Sequence, residues 1–175
     1  MNRRALFAGL ICCLPVSALK AQTTPLPRFT VVASPGVGSV GPSLFGAVSL
    51  NHARGDLVLR VVRMNEWDSD GIGTEKWRDV AVLYGYRDDQ GTGWLSLAAG
   101  PALVFGVRQG TDAICNELFC GYEDMSFREL ALGAQLDLVW IATDYLGLGV
   151  NMFGNVNGHA PFGGGGVSFH LGRLR

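Results

Sequence analysis

The chain has 175 residues, 48% hydrophobic and only 17% charged, with 25 glycines and a formal net charge of −1. That length allows one domain or a small pair, and the charge balance offers no basic surface for nucleic acid. Glycine is about twice its usual ~7%, but it lacks the three-residue period of collagen, and the hydrophobic content excludes disorder.

Residues 1–21 carry the three parts of an export signal. Arg3 and Arg4 supply the positive start, and Ala5 to Leu19 form an apolar run that Pro15 interrupts near its end. Cleavage can follow Ala21 or Ala18, with Ala21 preferred. The run is shorter than the ~20 residues of a spanning helix. Lipid attachment at Cys12 or Cys13 is disfavoured by Ile11, which stands where such signals need a small residue. Removing 1–21 takes away three of the 14 basic side chains and none of the 15 acidic ones, moving the net charge from −1 to −4. The remaining chain, 22–175, keeps two cysteines, Cys115 and Cys120. In an exported protein such a pair reads as one disulfide. A metal site would need further Cys or His ligands close by.

Eight segments then alternate with the period of two that a sheet with unlike faces requires. Residues 29–38 put Phe29, Val31 and Val37 on one side, although Pro35 permits only an edge or interrupted strand. Residues 43–52 set Leu44, Val48 and Leu50 against Ser43, Ser49 and Asn51, and residues 56–66 set Leu57, Leu59 and Val61 against Asp56, Arg60 and Glu66. Residues 77–87 align Val80, Val82, Tyr84 and Tyr86. Residues 94–108 place Leu95, Leu97, Leu103 and Phe105 opposite Ser96, Ala98, Gly100 and Ala102. In 128–141, Leu130, Leu132, Leu138 and Trp140 face away from Glu129, Gly133, Gln135 and Asp137. In 145–157, Leu148, Val150 and Met152 face away from Tyr145, Gly149, Asn151 and Phe153. The last segment, 162–173, sets Val167, Phe169 and Leu171 against Ser168, His170 and several glycines.

A soluble sandwich would turn the bulky residues inward and give water a face of Lys, Glu and Thr. Here the second face is dominated by Gly, Ala, Ser and Asn, as in the narrow interior of a small closed barrel. The strands are also long enough to cross hydrocarbon, which takes ~9–11 residues. Connections 52–55, 88–93 and 142–144 are short, whereas 67–76 and 109–127 are longer and acidic. Short turns at one end and longer loops at the other are the pattern of an outer-membrane barrel. The expected fold is therefore all-β: a closed antiparallel transmembrane barrel of eight strands, with both termini periplasmic.

The export signal, the segment Leu146-Gly147-Leu148-Gly149-Val150-Asn151-Met152 and the ending Gly166-Val167-Ser168-Phe169-His170-Leu171-Gly172 resemble the small outer-membrane β-barrel family, the OmpA/OmpX/OmpW-like transmembrane barrels. The resemblance spans about residues 28–174 and is one of pattern. It implies outer-membrane lipids and the barrel-assembly machinery as partners. The final Leu174-Arg175 departs from the aromatic ending common in such barrels.

The inward positions include Arg60, Glu66, Asp79, Arg108, Glu129, Gln135, Asp137 and His170. Eight strands enclose little more than their own side chains, so these groups are expected to pair, with Phe45, Tyr145 and Phe153 filling space around them. That predicts a plugged lumen with a polar cluster of Arg60, Glu129, Gln135, Asp137 and His170; a narrow solute channel is the alternative. His170 and Asp137 share a face with one strand between them, and Ser168 lies two residues from His170. A lipid-modifying enzyme would use these three, while a satisfied interior histidine is the simpler reading. Asp68-Ser69-Asp70-Gly71-Ile72-Gly73 opens like a calcium loop but lacks the third acidic ligand and the closing Glu. No cofactor is implied. The expected role is structural or interactive, with loops 67–76 and 109–127 displayed for an extracellular ligand.

Overall fold

A computed structural model of the chain describes residues 28–52, 55–66, 75–115, 120–158 and 161–174. The export segment 1–21 and the calcium-like stretch 68–73 lie outside the described residues. Eight strands run in chain order: β1 Arg28–Gly38, β2 Pro42–His52, β3 Gly55–Asn65, β4 Lys76–Asp89, β5 Gly93–Cys115, β6 Cys120–Ile141, β7 Leu146–Val156 and β8 Phe162–Gly172. Each pairs antiparallel with the next, and β1 pairs with β8, closing the barrel. The turns after β2, β4 and β6 gather at the end where the chain enters β1 and leaves β8. This is called the turn end below, and the opposite end the loop end.

The alternation sorts side chains as the period requires. Arg60 is fully buried at 0% exposure, whereas Leu130 is 81% and Val156 69% exposed. A water-soluble fold does the reverse, keeping Leu inside and Arg at the surface. Two of the three strand prolines, Pro35 and Pro101, mark where the ladder gives way, while Pro42 opens β2. The β1–β8 register passes from Ala33↔Phe169 to Gly36↔Gly166 across Pro35. The β4–β5 register likewise passes from Ala81↔Ala102 to Tyr84↔Ala99 across Pro101. Proline has no N–H to donate. Against expectation, Pro35 neither interrupts its strand nor lies on an edge: β1 runs unbroken from Arg28 to Gly38 with Pro35 paired to Leu44 of β2, and only the β1–β8 ladder opens at the proline.

Two expectations need correction. The stretch 109–127 is largely strand: β5 continues to Cys115 and β6 begins at Cys120. Pairing satisfies backbone N–H and C=O groups even where neither face needs to be apolar, so acidic composition does not prevent a hairpin. Between Gln109↔Asp124 and Ala113↔Tyr122 the register shifts, because three residues of β5 oppose one of β6. This is a bulge, which bends and twists the ribbon. Second, Tyr145 does not fill the interior; it is 69% exposed in the turn before Leu146. Strand parity holds only inside a strand, and Tyr145 lies one residue too early for it.

Candidate functional site

The interior is built in layers by the inward positions of all eight strands. In the middle layer Arg60 of β3 meets Asp79 of β4, with Nε and Nη2 at 3.0 and 2.9 Å from Oδ1 and Nη2 at 3.0 Å from Oδ2. Both side chains are fully buried. The guanidinium then crosses the barrel, donating through Nη1 to the Ala134 carbonyl of β6 at 2.7 Å. Asn155 Nδ2 of β7 donates to the other Asp79 oxygen at 2.9 Å. One cluster therefore ties β3, β4, β6 and β7 together. Gly133 makes the approach feasible: a Cβ there would sit 3.0 Å from Arg60 Nη2 and 3.3 Å from Ala102 Cβ. Beside this cluster Phe45 and Phe153 stack at 5.6 Å, and Ser34 Oγ donates to Asn151 Oδ1 at 2.8 Å.

The layer toward the turn end centres on Trp94. The Arg87 guanidinium lies 3.9 Å over its ring, a favourable cation–π position. His170 meets the same indole edge-on at 5.4 Å. His170 Nε2 and Ser168 Oγ are hydrogen-bonded at 2.9 Å. Asp137 accepts from Gln135 Nε2 at 2.7 Å and Ser96 Oγ at 3.3 Å. The His170–Asp137 contact allowed by the sequence is not formed. The two residues instead line one cavity of about 10 Å³, together with Asp56, Ser49, Ser96 and Trp94. That volume suits about one water molecule. Ser168, His170 and Asp137 are 0%, 2% and 4% exposed, so the Ser–His pair is sealed from the outside.

At the loop end Trp77 packs edge-on against Phe127 at 5.2 Å and Phe162 at 5.8 Å. Glu129 and Arg108 are half-buried there rather than part of the central cluster. Glu66 accepts the Glu75 N–H at 3.0 Å, fastening the two ends of the β3–β4 connection. Of the expected polar cluster, Gln135 and Asp137 touch each other and His170 shares their cavity; Arg60 belongs to the separate Asp79 cluster. The sequence reading did not single out Arg87 and Trp94, although each is an end residue of its segment, 77–87 and 94–108, and the parity of those segments already turns both inward. It also missed Leu174, fully buried against Trp94 and Val139. No periodic signal marks Leu174, because it follows the end of β8. Its backbone is held by Leu174 N–H to Asp144 O at 2.8 Å and by Arg28 Nη1 to Leu174 O at 3.0 Å.

The side chains of Cys115 and Cys120 lie outside those described. The backbone does set Cys115 and Cys120 opposite each other as the last register pair of the β5–β6 hairpin.

No protein-family model and no curated protein matches the chain. Solved structures share its fold, among them the two that follow. The N-terminal β-barrel domain of Pseudomonas aeruginosa OprF is similar with a TM-score of 0.58 at 11% identity, over 83% of this chain and 96% of that one. Neisserial surface protein A is similar with a TM-score of 0.54 at 13% identity, over 83% of this chain and 94% of that one. The chain thus has the eight-stranded fold of small outer-membrane barrels.

Proposed function

We propose that this chain is an outer-membrane barrel of a diderm bacterium, exported by residues 1–21, with a plugged lumen and a structural, surface-displaying role. The observation that carries the reading is the reversal of polarity across the wall. Bulky aliphatic side chains stand exposed on the outer face while Arg60 and Asp79 are fully buried inside. Outward aromatics Phe29, Tyr84, Tyr86, Trp140, Tyr145 and Phe169 gather toward the turn end, where a girdle would meet lipid headgroups. Short turns lie on the periplasmic side of such barrels, which puts both termini there. The β5–β6 hairpin and the β3–β4 connection then face outward, available to an extracellular ligand. Outer-membrane lipids surround the wall, and the barrel-assembly machinery inserts it.

The interior contacts support a plugged lumen: the Arg60 cluster crosses the middle, and the cavity beneath it has room for about one water. The same closure disfavours lipid hydrolysis, since no acyl chain reaches Ser168 or His170. Purified protein folded into planar bilayers is expected to give no steady single-channel conductance and a folded band whose gel mobility changes on boiling. Sustained channels would overturn the plug, and a processed chain freely soluble without detergent would overturn the membrane reading. Protease on intact cells should cut within the β5–β6 hairpin and spare the turns.

The hairpin tip is proposed to be locked by a Cys115–Cys120 bond, which the register pairing supports. Free-thiol alkylation of the exported protein should add no mass before reduction and two adducts after it. Two adducts without reduction would dismiss the bridge.

A further inference from the structure

We propose that the outer face of β3–β6 near the loop end binds the phosphate-bearing headgroup of a membrane lipid through Arg63, Arg78 and Arg128, with Lys76 above them. The inference rests on the outer-membrane reading and goes beyond it by assigning a lipid class and a site. Successive register pairs Arg63↔Arg78, Arg78↔Phe105 and Phe105↔Arg128 place the three arginines in one outward row across four strands. Neighbouring strands lie ~4.8 Å apart, so the row spans about 14 Å. All three arginines and Lys76 are exposed, and none forms an ion pair among the described residues. Asp124, the nearest outward carboxylate on β6, stands four residues beyond Arg128.

Charge and position together select the ligand. Arg63 and Arg78 are direct cross-strand partners, and like charges so placed repel unless an anion lies between them. The next row toward the turn end is wholly apolar: Val61, Val80, Leu103 and Leu130. The next row toward the loop end carries Lys76. A ligand seated here has its anion above an acyl-covered wall, which describes an amphiphile rather than a free anion. Guanidinium forks match phosphate oxygens in bidentate geometry, and a ~14 Å row can engage a glycolipid headgroup carrying two phosphates. The outward positions at the loop end of the remaining strands, among them Val37, Leu44, Val156 and Gly165, carry no charge, so the site is one-sided.

The test is titration of the full-length processed protein, folded in neutral detergent, with a bis-phosphorylated glycolipid, read by native mass spectrometry. The variant Arg63→Gln/Arg78→Gln/Arg128→Gln should bind roughly a hundredfold more weakly, taking about a fivefold loss per cation at a membrane surface. It should keep the boiling-dependent mobility of a folded barrel; if it does not fold, Arg78→Gln alone should show the fivefold loss. The dephosphorylated glycolipid should bind wild type as weakly as the variant binds the phosphorylated one. Unchanged binding by a folded variant, or equal binding of the dephosphorylated lipid, overturns the site while leaving the outer-membrane reading intact. Displacement by millimolar inorganic phosphate overturns the lipid assignment. A wild-type chain that enters no bilayer overturns both readings.

Discussion

Replacing Arg60 with methionine should cost about 3–5 kcal/mol of folding stability, because it strands a buried carboxylate without its counter-charge. Asp79 is fully buried and accepts from both Nε and Nη2 of Arg60, with Asn155 Nδ2 as the one further donor among the described residues. Losing the guanidinium also frees the Ala134 carbonyl and unties β3 from β6. The partner change restores the balance. In Arg60→Met/Asp79→Leu neither position leaves an unpaired buried charge, and apolar replacement of such pairs is often neutral or better. The double variant should therefore recover most of the loss, short of the unmade bonds of Asn155 and Ala134, each about 1–3 kcal/mol at most. Urea unfolding of the barrel in lipid vesicles measures all three. A single variant less than about 1 kcal/mol below wild type would mean that water reaches Asp79, contrary to the buried-pair penalty, and the plug would then be a wet pore.

Placing arginine at Val150 tests the opposite face of the wall. Val150 points outward at 45% exposure near the middle of β7, between Leu138 of β6 and Val167 of β8. At the bilayer midplane an arginine on a lipid-facing strand costs about 2–4 kcal/mol. On a water-facing strand the same change stays within about 0.5 kcal/mol. The two environments thus predict results well separated from one another. Vesicle unfolding of Val150→Arg should show the large loss, while Val150→Leu should match wild type. An arginine variant as stable as wild type would remove lipid from this face.

The strand pattern was legible because it is written locally. Leu130, Leu132, Leu138 and Trp140 turn outward, and Gln135 and Asp137 inward, by backbone geometry alone. The eight strands and their faces therefore match expectation, although β1 runs through Pro35 without the interruption that its residue type suggests. Where the local rule ends, the reading fails. Parity turns Tyr145 inward but its turn does not obey parity, and Leu174 folds into the barrel mouth with no repeat to announce it. The 109–127 stretch was read by its acidity, although a hairpin standing clear of the rim needs only backbone pairing and a tolerable turn.

The candidate site was legible as a set of inward groups and not as contacts. Which of them meet depends on how closure and strand stagger bring distant strands level. Arg60 lies 19 residues from Asp79 and 74 from Ala134 in sequence, yet touches both. His170 and Asp137 share a face and a cavity, yet each bonds the residue two places away on its own strand, Ser168 and Gln135, and closure forms no bond between them. Side-chain direction along a strand is a property of each residue and its two neighbours, so a reader of the chain recovers it. Contact across a barrel depends on every register at once, and those registers exist only when the sheet has closed.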